Sequence, residues 1–370
     1  MPLDHYMPAA FIASFAEQIA LRRRESVIEV GDVLTGKSFQ SKAGSIGAQH
    51  NFYTLQDPVT WSPSKQPNLR LIDDVWQAYE GDLTEALDDL RTGNLTALRW
   101  ARTLVPFVAA MLVRGPDFNR RFESRPVIEA VRDAGRADLP IPDNTHGARL
   151  IELQRLLGSV AAADWIVSTI GDDGKLITND VGHVPTQDKT TGQLGILIPL
   201  SSQSMLTVLP NRQNIIAIKR LGTWYPNIRY MTVGRDWALG INNLVAFRAQ
   251  RFVYGENKTL IAQAMASLPR QHTPGRPIEP ADLGFLTGID AVVHEFTWHR
   301  LISFLMNPSH TEANEQFDID WNLIALGWHP PVMFALNLPM FPTALRRSGD
   351  VLAVDFYDGV AALQAWSANQ

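Results

Sequence analysis

Residues 165–209 read WIVSTIGDDGKLITNDVGHVPTQDKTTGQLGILIPLSSQSMLTVL. Apolar runs at 165–170, 175–178, 196–200 and 205–209, and a further one at 215–219, are separated by Gly, Asp, Ser and Asn turns. Runs this short, bounded this way, predict the strands of a mostly antiparallel sheet. Upstream the period changes. Leu71, Val75 and Ala78, continued by Leu83, Leu87 and Leu90, predict a helix that Gly93-Asn94 ends. A second helix is expected from Leu95 to Leu112, a third from Pro116 to about Ala134, and a fourth over about 147–162, with 139–142 (LPIP) as a linker. Downstream, a helix over 235–250 and a strand over 251–254 follow. The order is helices, then strands, then one more helix. That argues an α+β fold with a helical block, about 66–162, packed on the sheet, about 164–254.

At the N-terminus, Phe11, Phe15 and Ile19 recur at helical spacing, and Arg22, Arg23 and Arg24 suit the negative end of that helix. Val27–Val30 and Lys37–Ser41 flank Gly31-Asp32 and Gly36 and predict a hairpin. Pro269 to Pro280 reads as a linker, 269–281, closing a first domain over 1–268. The remaining 282–370 are expected to form a C-terminal extension. It has a helix over 284–306, and it docks on the first domain because so short a segment buries little surface alone.

With 45% hydrophobic and 19% charged residues the chain is globular stock. A net charge of −5 provides no global pull toward nucleic acid, leaving only local basic grooves. Zero cysteines exclude disulfides, thiolate zinc sites and a Cys nucleophile. The first residues lack a basic, then apolar leader, and no run reaches the length of a membrane span; a cytoplasmic protein is expected.

Several segments share one further feature. His5-Tyr6-Met7-Pro8 followed by Phe11 and Phe15 resembles the HYVP-x-x-[FY]-L-x-x-F start of the bacterial family catalogued as domain of unknown function 4238. Asn51-Phe52-Tyr53 resembles its NFY-like triplet, Glu80 its helix glutamate, and Arg114-Gly115-Pro116 its R-T-P junction. Ile177-Thr178-Asn179-Asp180 resembles its T-S-D-N-P strand end, with Asn179 in place of Ser and Val181-Gly182 in place of Asn-Pro. Residues 195–200 resemble its G-I-x-F-P-L strand, and Asn242-Asn243 with Arg251-Phe252-Val253-Tyr254 its late Asn and R-F-V-Y-S pair. The resemblance covers roughly 1–260 and implies a fold and the position of a site rather than a reaction.

The polar residues at those motifs come from separate elements, as active-site residues do. His5, Glu80, Asp180 and Arg114 form the candidate catalytic set: an imidazole base, two carboxylates to move protons or hold a hard cation such as Mg²⁺ or Mn²⁺, and a planar fork for phosphate. Asn51, Tyr53, Asn179, Asn243 and Arg251 are candidate binding residues. The chemistry expected is that of a hydrolase, a metal-dependent nuclease or phosphodiesterase, with nucleic acid or a nucleotide as partner. The alternative is a non-catalytic binding or regulatory protein with a nucleotide or peptide pocket. The bland reading stands beside both: His5 braces a helix, Arg114 satisfies carbonyls, Asp180 holds a turn and Glu80 faces solvent.

A third reading is a zinc hydrolase at His294-Glu295-Phe296-Thr297-Trp298-His299, with Glu312 or Glu315 as a distal ligand. Its histidines stand at i and i+5, off one helix face without a π-bulge, so an amphipathic helix burying Val292, Phe296 and Leu305 is preferred. Gly36-Lys37-Ser38 lacks the strand-to-helix setting of a phosphate loop. Arg120, Arg121, Arg125 and Arg132 could track a phosphate backbone but read better as a solvated helix face. Trp224, Trp298, Trp321 and Trp328 could stack bases, with core packing the default.

Overall fold

The computed structural model describes residues 3–56, 69–122, 141–171, 173–211, 228–269, 272–273 and 278–285, together with three strands between 316 and 358. The chain opens with β1 (Leu3–His5) and a short helix α1 (Ala9–Ile12). The predicted hairpin follows as β2 (Val27–Asp32) and β3 (Lys37–Lys42), and β4 (Ala48–His50) then returns to pair with β1, His5 opposite Ala48. The helix expected to run past Ile19 stops early. After α1 comes one 3-10 turn, Ala13–Phe15, and Ala16 is already extended at ψ 146°. Phe11 and Phe15 are buried as expected, but Ile19 is 49% exposed. Helix continuation would have paired the Ser14 carbonyl with the Gln18 N–H; instead that carbonyl accepts from Ser202 N at 3.2 Å. A tertiary partner has replaced the helical one.

The helical block comprises α2 (Leu71–Glu80), α3 (Leu83–Thr92), α4 (Ala97–Arg99), α5 (Val105–Val113), α6 (Pro116–Phe122) and α7 (Ile141–Ala161). Gly93 closes α3 at φ 79°, in the left-handed region that glycine enters without strain. A π-turn, Trp100–Leu104, joins α4 to α5. Pro106 lies just beyond it, without an N–H to return to the carbonyl one turn back, and the wider turn absorbs that mismatch. Helix α7 begins inside the stretch expected to be a linker. Pro142 sits in its first turn, where a missing N–H costs nothing.

The strands that follow are β5 (Asp164–Ile170), β6 (Thr178–Asn179), β7 (Val184–Gln187), β8 (Leu194–Ser201), β9 (Ser204–Leu209) and β10 (Ile228–Val233). Then come α8 (Arg235–Arg248), β11 (Phe252–Gly255) and α9 (Lys258–Ala266). One sheet has the order β10-β5-β9-β8-β7, antiparallel except for the β10–β5 pair; another has the order β3-β2-β11-β6 and joins the N-terminal hairpin to the late strand. The fold is α+β. The predicted run at 215–219 lies outside the described residues.

Strand alternation divides the core. On β8, Ile196, Ile198 and Leu200 join the cluster under the helical block, whereas Leu197 faces a second cluster with Met205, Val245, Val253 and Ile261. Trp100 meets Trp165 edge-on at 5.9 Å between helix and sheet. A Cβ at Gly195 would lie 2.2 Å from the Val208 carbonyl oxygen, so β8 and β9 approach there as only glycine allows. Beyond the Pro-rich stretch, Leu283 and Phe285 are buried in the larger cluster. Further on, β12 (Gln316–Asp318), β13 (Met340–Ser348) and β14 (Val351–Asp358) form an antiparallel sheet. The helix expected over 284–306 does not begin at Gly284, which instead closes a 3-10 turn at φ 83°, and residues 286–306 lie outside the described residues. No helix among the described residues is long and apolar enough to cross a membrane.

Candidate functional site

Three of the four predicted catalytic residues meet. β1 holds His5 through its ladder with β4, and the Met7 N–H donates to Gly47 O at 3.0 Å just after it. Glu80 ends α2 and Arg114 follows α5. The Arg114 guanidinium, 2% exposed, donates to the Glu80 carboxylate, to the Tyr79 hydroxyl at 3.4 Å and to the His5 carbonyl, and lies 5.3 Å above the Trp76 ring. Burial, the largest single effect, lowers its pKa; the Glu80 carboxylate with Tyr79 and Tyr53 together raise it further than burial lowers it, so Arg114 stays charged.

Tyr53, the candidate binding residue nearest this junction, donates its hydroxyl to the Arg114 carbonyl at 2.8 Å. Burial pushes that hydroxyl up to about 12. The Tyr53 N–H donates to the Asp4 carboxylate at 2.9 Å, and Asp4 also pairs with Arg70 at 3.1 Å.

The His5 imidazole is half-buried. Its Nε2 lies 3.1 Å from Gly44 O. A carbonyl can only accept, so Nε2 carries the proton and Nδ1 keeps a lone pair. Burial lowers the His5 pKa, opposed by the Gly44 bond and assisted by Arg114. The result is a neutral imidazole at neutral pH, with Nδ1 open as a base.

Asp180 stands apart from this group. Its backbone passes close to Gly115, but its carboxylate accepts from the N–H groups of Gln250, Arg251 and Phe252 at 2.8, 2.8 and 2.9 Å. It clamps the start of β11 to the end of β6. Burial pushes it up to about 6, against those three bonds. Asn179 is likewise engaged: Nδ2 donates to Val245 O at 2.7 Å, and Oδ1 accepts from Val181 and Gly182. Asn243 is exposed, while its neighbour Asn242 is buried and bonded to Ile177 N and Lys175 O. Helical phase separates the two. Arg251 is exposed, bonded to Asp32 at 3.2 Å and stacked 4.8 Å over Phe252. Asn51 is exposed with φ 54°, a turn residue.

Sequence reading passed over Arg149. It is 0% exposed and lies 5.3 Å over both the Phe52 and Tyr53 rings and 5.2 Å over Phe118; it donates to Val113 O at 2.8 Å and meets His146 Nδ1 at 2.7 Å. His146, Arg149, Leu150 and Leu153 share one face of α7, so a cation on an apolar helical stripe was a readable signal. His183 was also passed over; it is buried, and burial followed by the Arg248 cation drives it down to about 3.

Among the described residues, no group of three or more His, Asp or Glu side chains is placed to hold a metal ion. Glu80 is taken by Arg114, and Asp180 by backbone donors. The donor set expected for Mg²⁺ or Mn²⁺ is therefore not assembled by these residues. Arg121 of the expected basic face is paired with Glu152 and Glu279 at 3.4 and 3.3 Å. Arg125, Arg132, Trp224, Trp298, Trp321, Trp328, Glu312, Glu315 and the His294–His299 motif lie outside the described residues. Gly36, at φ 71°, sits in the β2–β3 turn, not in a phosphate loop. No family model, no curated protein and no solved structure matches the chain.

Proposed function

We propose that the chain is a phosphate-ester hydrolase of nuclease or phosphodiesterase type, acting where His5, Glu80 and Arg114 meet. The observation that carries this reading is the His5 ring. Its Nε2 is tied to Gly44 O, its Nδ1 makes no hydrogen bond among the described residues, and the half-buried Glu80 carboxylate acts on the ring electrostatically. In this reading Nδ1 takes the proton of the attacking hydroxyl or water. Arg114 holds the Glu80 carboxylate in place at the rim. No step is assigned to a metal ion.

The test is cleavage of labelled single- and double-stranded DNA and RNA, with and without Mg²⁺ or Mn²⁺, by wild type, His5→Ala and Glu80→Gln. The expected result is cleavage that falls by about two orders of magnitude or more in His5→Ala, with circular dichroism unchanged. Cleavage that persists in His5→Ala, or none of any substrate by wild type, counts against the proposal.

A further inference from the structure

The run Arg22-Arg23-Arg24, expected to close the first helix, lies clear of it, since helical structure there ends at Phe15. Arg23–Glu25 form a 3-10 turn of their own, and Ala43–Ser45 form another. The two turns are tied by the Ala43 N–H, which donates to Ser26 O at 2.9 Å. Arg23 donates to Ser14 Oγ and pairs with Asp88, both at 3.3 Å. Arg24 lies against Gly44. A Cβ at Gly44 would stand 3.0 Å from the Arg24 Cβ and 3.3 Å from its Nε, so glycine there leaves room for the Arg24 stem.

Gly44 is also the residue whose carbonyl holds the His5 ring, 3.1 Å from Nε2. Arg24 and His5 thus meet on the same glycine. Burial is the first cause of the lowered His5 pKa, and the charged groups that act on the ring are Arg114, Glu80 and Arg24. Arg114 and Glu80 are bonded to each other. Arg24 is exposed and makes no hydrogen bond or ion pair among the described residues. Glu25, its neighbour in the chain, is held by Lys42 at 2.6 Å, and Asp88 is held by Arg23 and Arg91. Two guanidiniums and one carboxylate therefore act on His5, with Lys42 balancing Glu25. The charge left over is one positive, and Arg24 carries it.

We infer that Arg24 anchors the substrate of the His5 site, and that the group it takes is the singly charged phosphate of a phosphodiester linkage. A guanidinium presents paired N–H donors in one plane, and the unbridged oxygens of a phosphodiester match them. A terminal phosphate carries more charge, about −1.5 to −2. With Arg114 committed to Glu80, that extra charge finds no second uncommitted guanidinium among the described groups that act on His5. The inference deepens the hydrolase reading and rests on it for the bond that is cut. The anchoring itself is measured without turnover.

The test is a nuclear magnetic resonance titration of the full-length chain, following the His5 ring signal, which is identified by its loss in His5→Asn. The probes are thymidylyl-thymidine, its uncharged methylphosphonate analogue and thymidine monophosphate. Thymidylyl-thymidine should bind most tightly, with the methylphosphonate weaker by about tenfold. Arg24→Ala should weaken thymidylyl-thymidine by about tenfold and leave the methylphosphonate unchanged, a pattern that a merely structural role would not produce. Arg24→Lys should restore only part of the loss, because an ammonium lacks the fork. Circular dichroism should be unchanged in both variants, since Arg24 is exposed. No shift with thymidylyl-thymidine, equal binding of the charged and uncharged linkages, equal weakening of both in Arg24→Ala, or tighter binding of the monophosphate would overturn the inference. Selective binding of the charged linkage without cleavage would uphold the anchor and defeat the hydrolase reading alone.

Discussion

The Arg114 guanidinium shows how a single residue can hold several elements together. It joins the ends of α2, α5 and β1 through Glu80, Tyr79 and the His5 carbonyl. Replacing it with Ala leaves those groups without their donor at a buried junction, so Arg114→Ala should lose about 3 kcal/mol in urea unfolding. Arg114→Lys should recover little, because an ammonium cannot reproduce the fork. A loss within ordinary surface range would mean that the junction contributes no stability. Asp180 carries a pH signature. Its folded value of about 6 lies above its ordinary 3.8, so the folded chain takes up this proton first as pH falls. Stability from this group therefore grows as pH falls through 6, is complete below 3.8, and is lost as pH rises through 6. Between pH 7 and pH 5 the wild type should gain about 1 kcal/mol that Asp180→Asn lacks. Denaturant curves for both proteins at the two pH values check this; parallel pH slopes would refute it.

At the scale of elements, caps and turns decide lengths that periodicity left open. Asn257 caps α9 by accepting the Leu260 N–H at 3.0 Å, and α9 covers Gly31 of β2 through Ile261 and Met265. Asn257→Ala should cost about 1 kcal/mol, read as a lower urea midpoint with unchanged slope; an unchanged midpoint would show that α9 needs no cap. The N-terminal helix failed to extend for a comparable reason. Its phase was correct at Phe11 and Phe15, but the Ser14 carbonyl found Ser202, a partner invisible to any local pattern. Likewise α7 starts at Ile141 because Pro142 is harmless in a first turn, although two prolines close together read as a break.

The described residues are joined by two clusters rather than by one continuous core, and Leu283 and Phe285, just after the Pro-rich stretch, belong to the larger of them. Phe285, 3% exposed, packs there with Leu283. Phe285→Ala should cost about 3 kcal/mol of global stability, seen as a fall in the single unfolding transition; a separate early transition would instead show that this segment unfolds independently. Much of the architecture was legible in the residues alone. The α+β class, the β2–β3 hairpin, the break at Gly93, the strands β5, β8, β9 and β11 and the helix α8 follow from periodicity and turn chemistry, which are local. His5, Glu80 and Arg114 were singled out by a motif resemblance rather than by periodicity, and it is the fold that brings Arg114 to the other two. Other features had no local trace. The shortening of the strand expected over 175–178 to the two residues of β6 (Thr178–Asn179), the short β7, the parallel pairing of β10 with β5 and the burial of Arg149 depend on strands and rings distant in sequence. The turning of Asp180 away from His5 was set by three backbone N–H groups some seventy residues later, at separations of 70, 71 and 72 positions. A carboxylate's residue type announces that it can bind donors, but only the packed chain decides which donors reach it first.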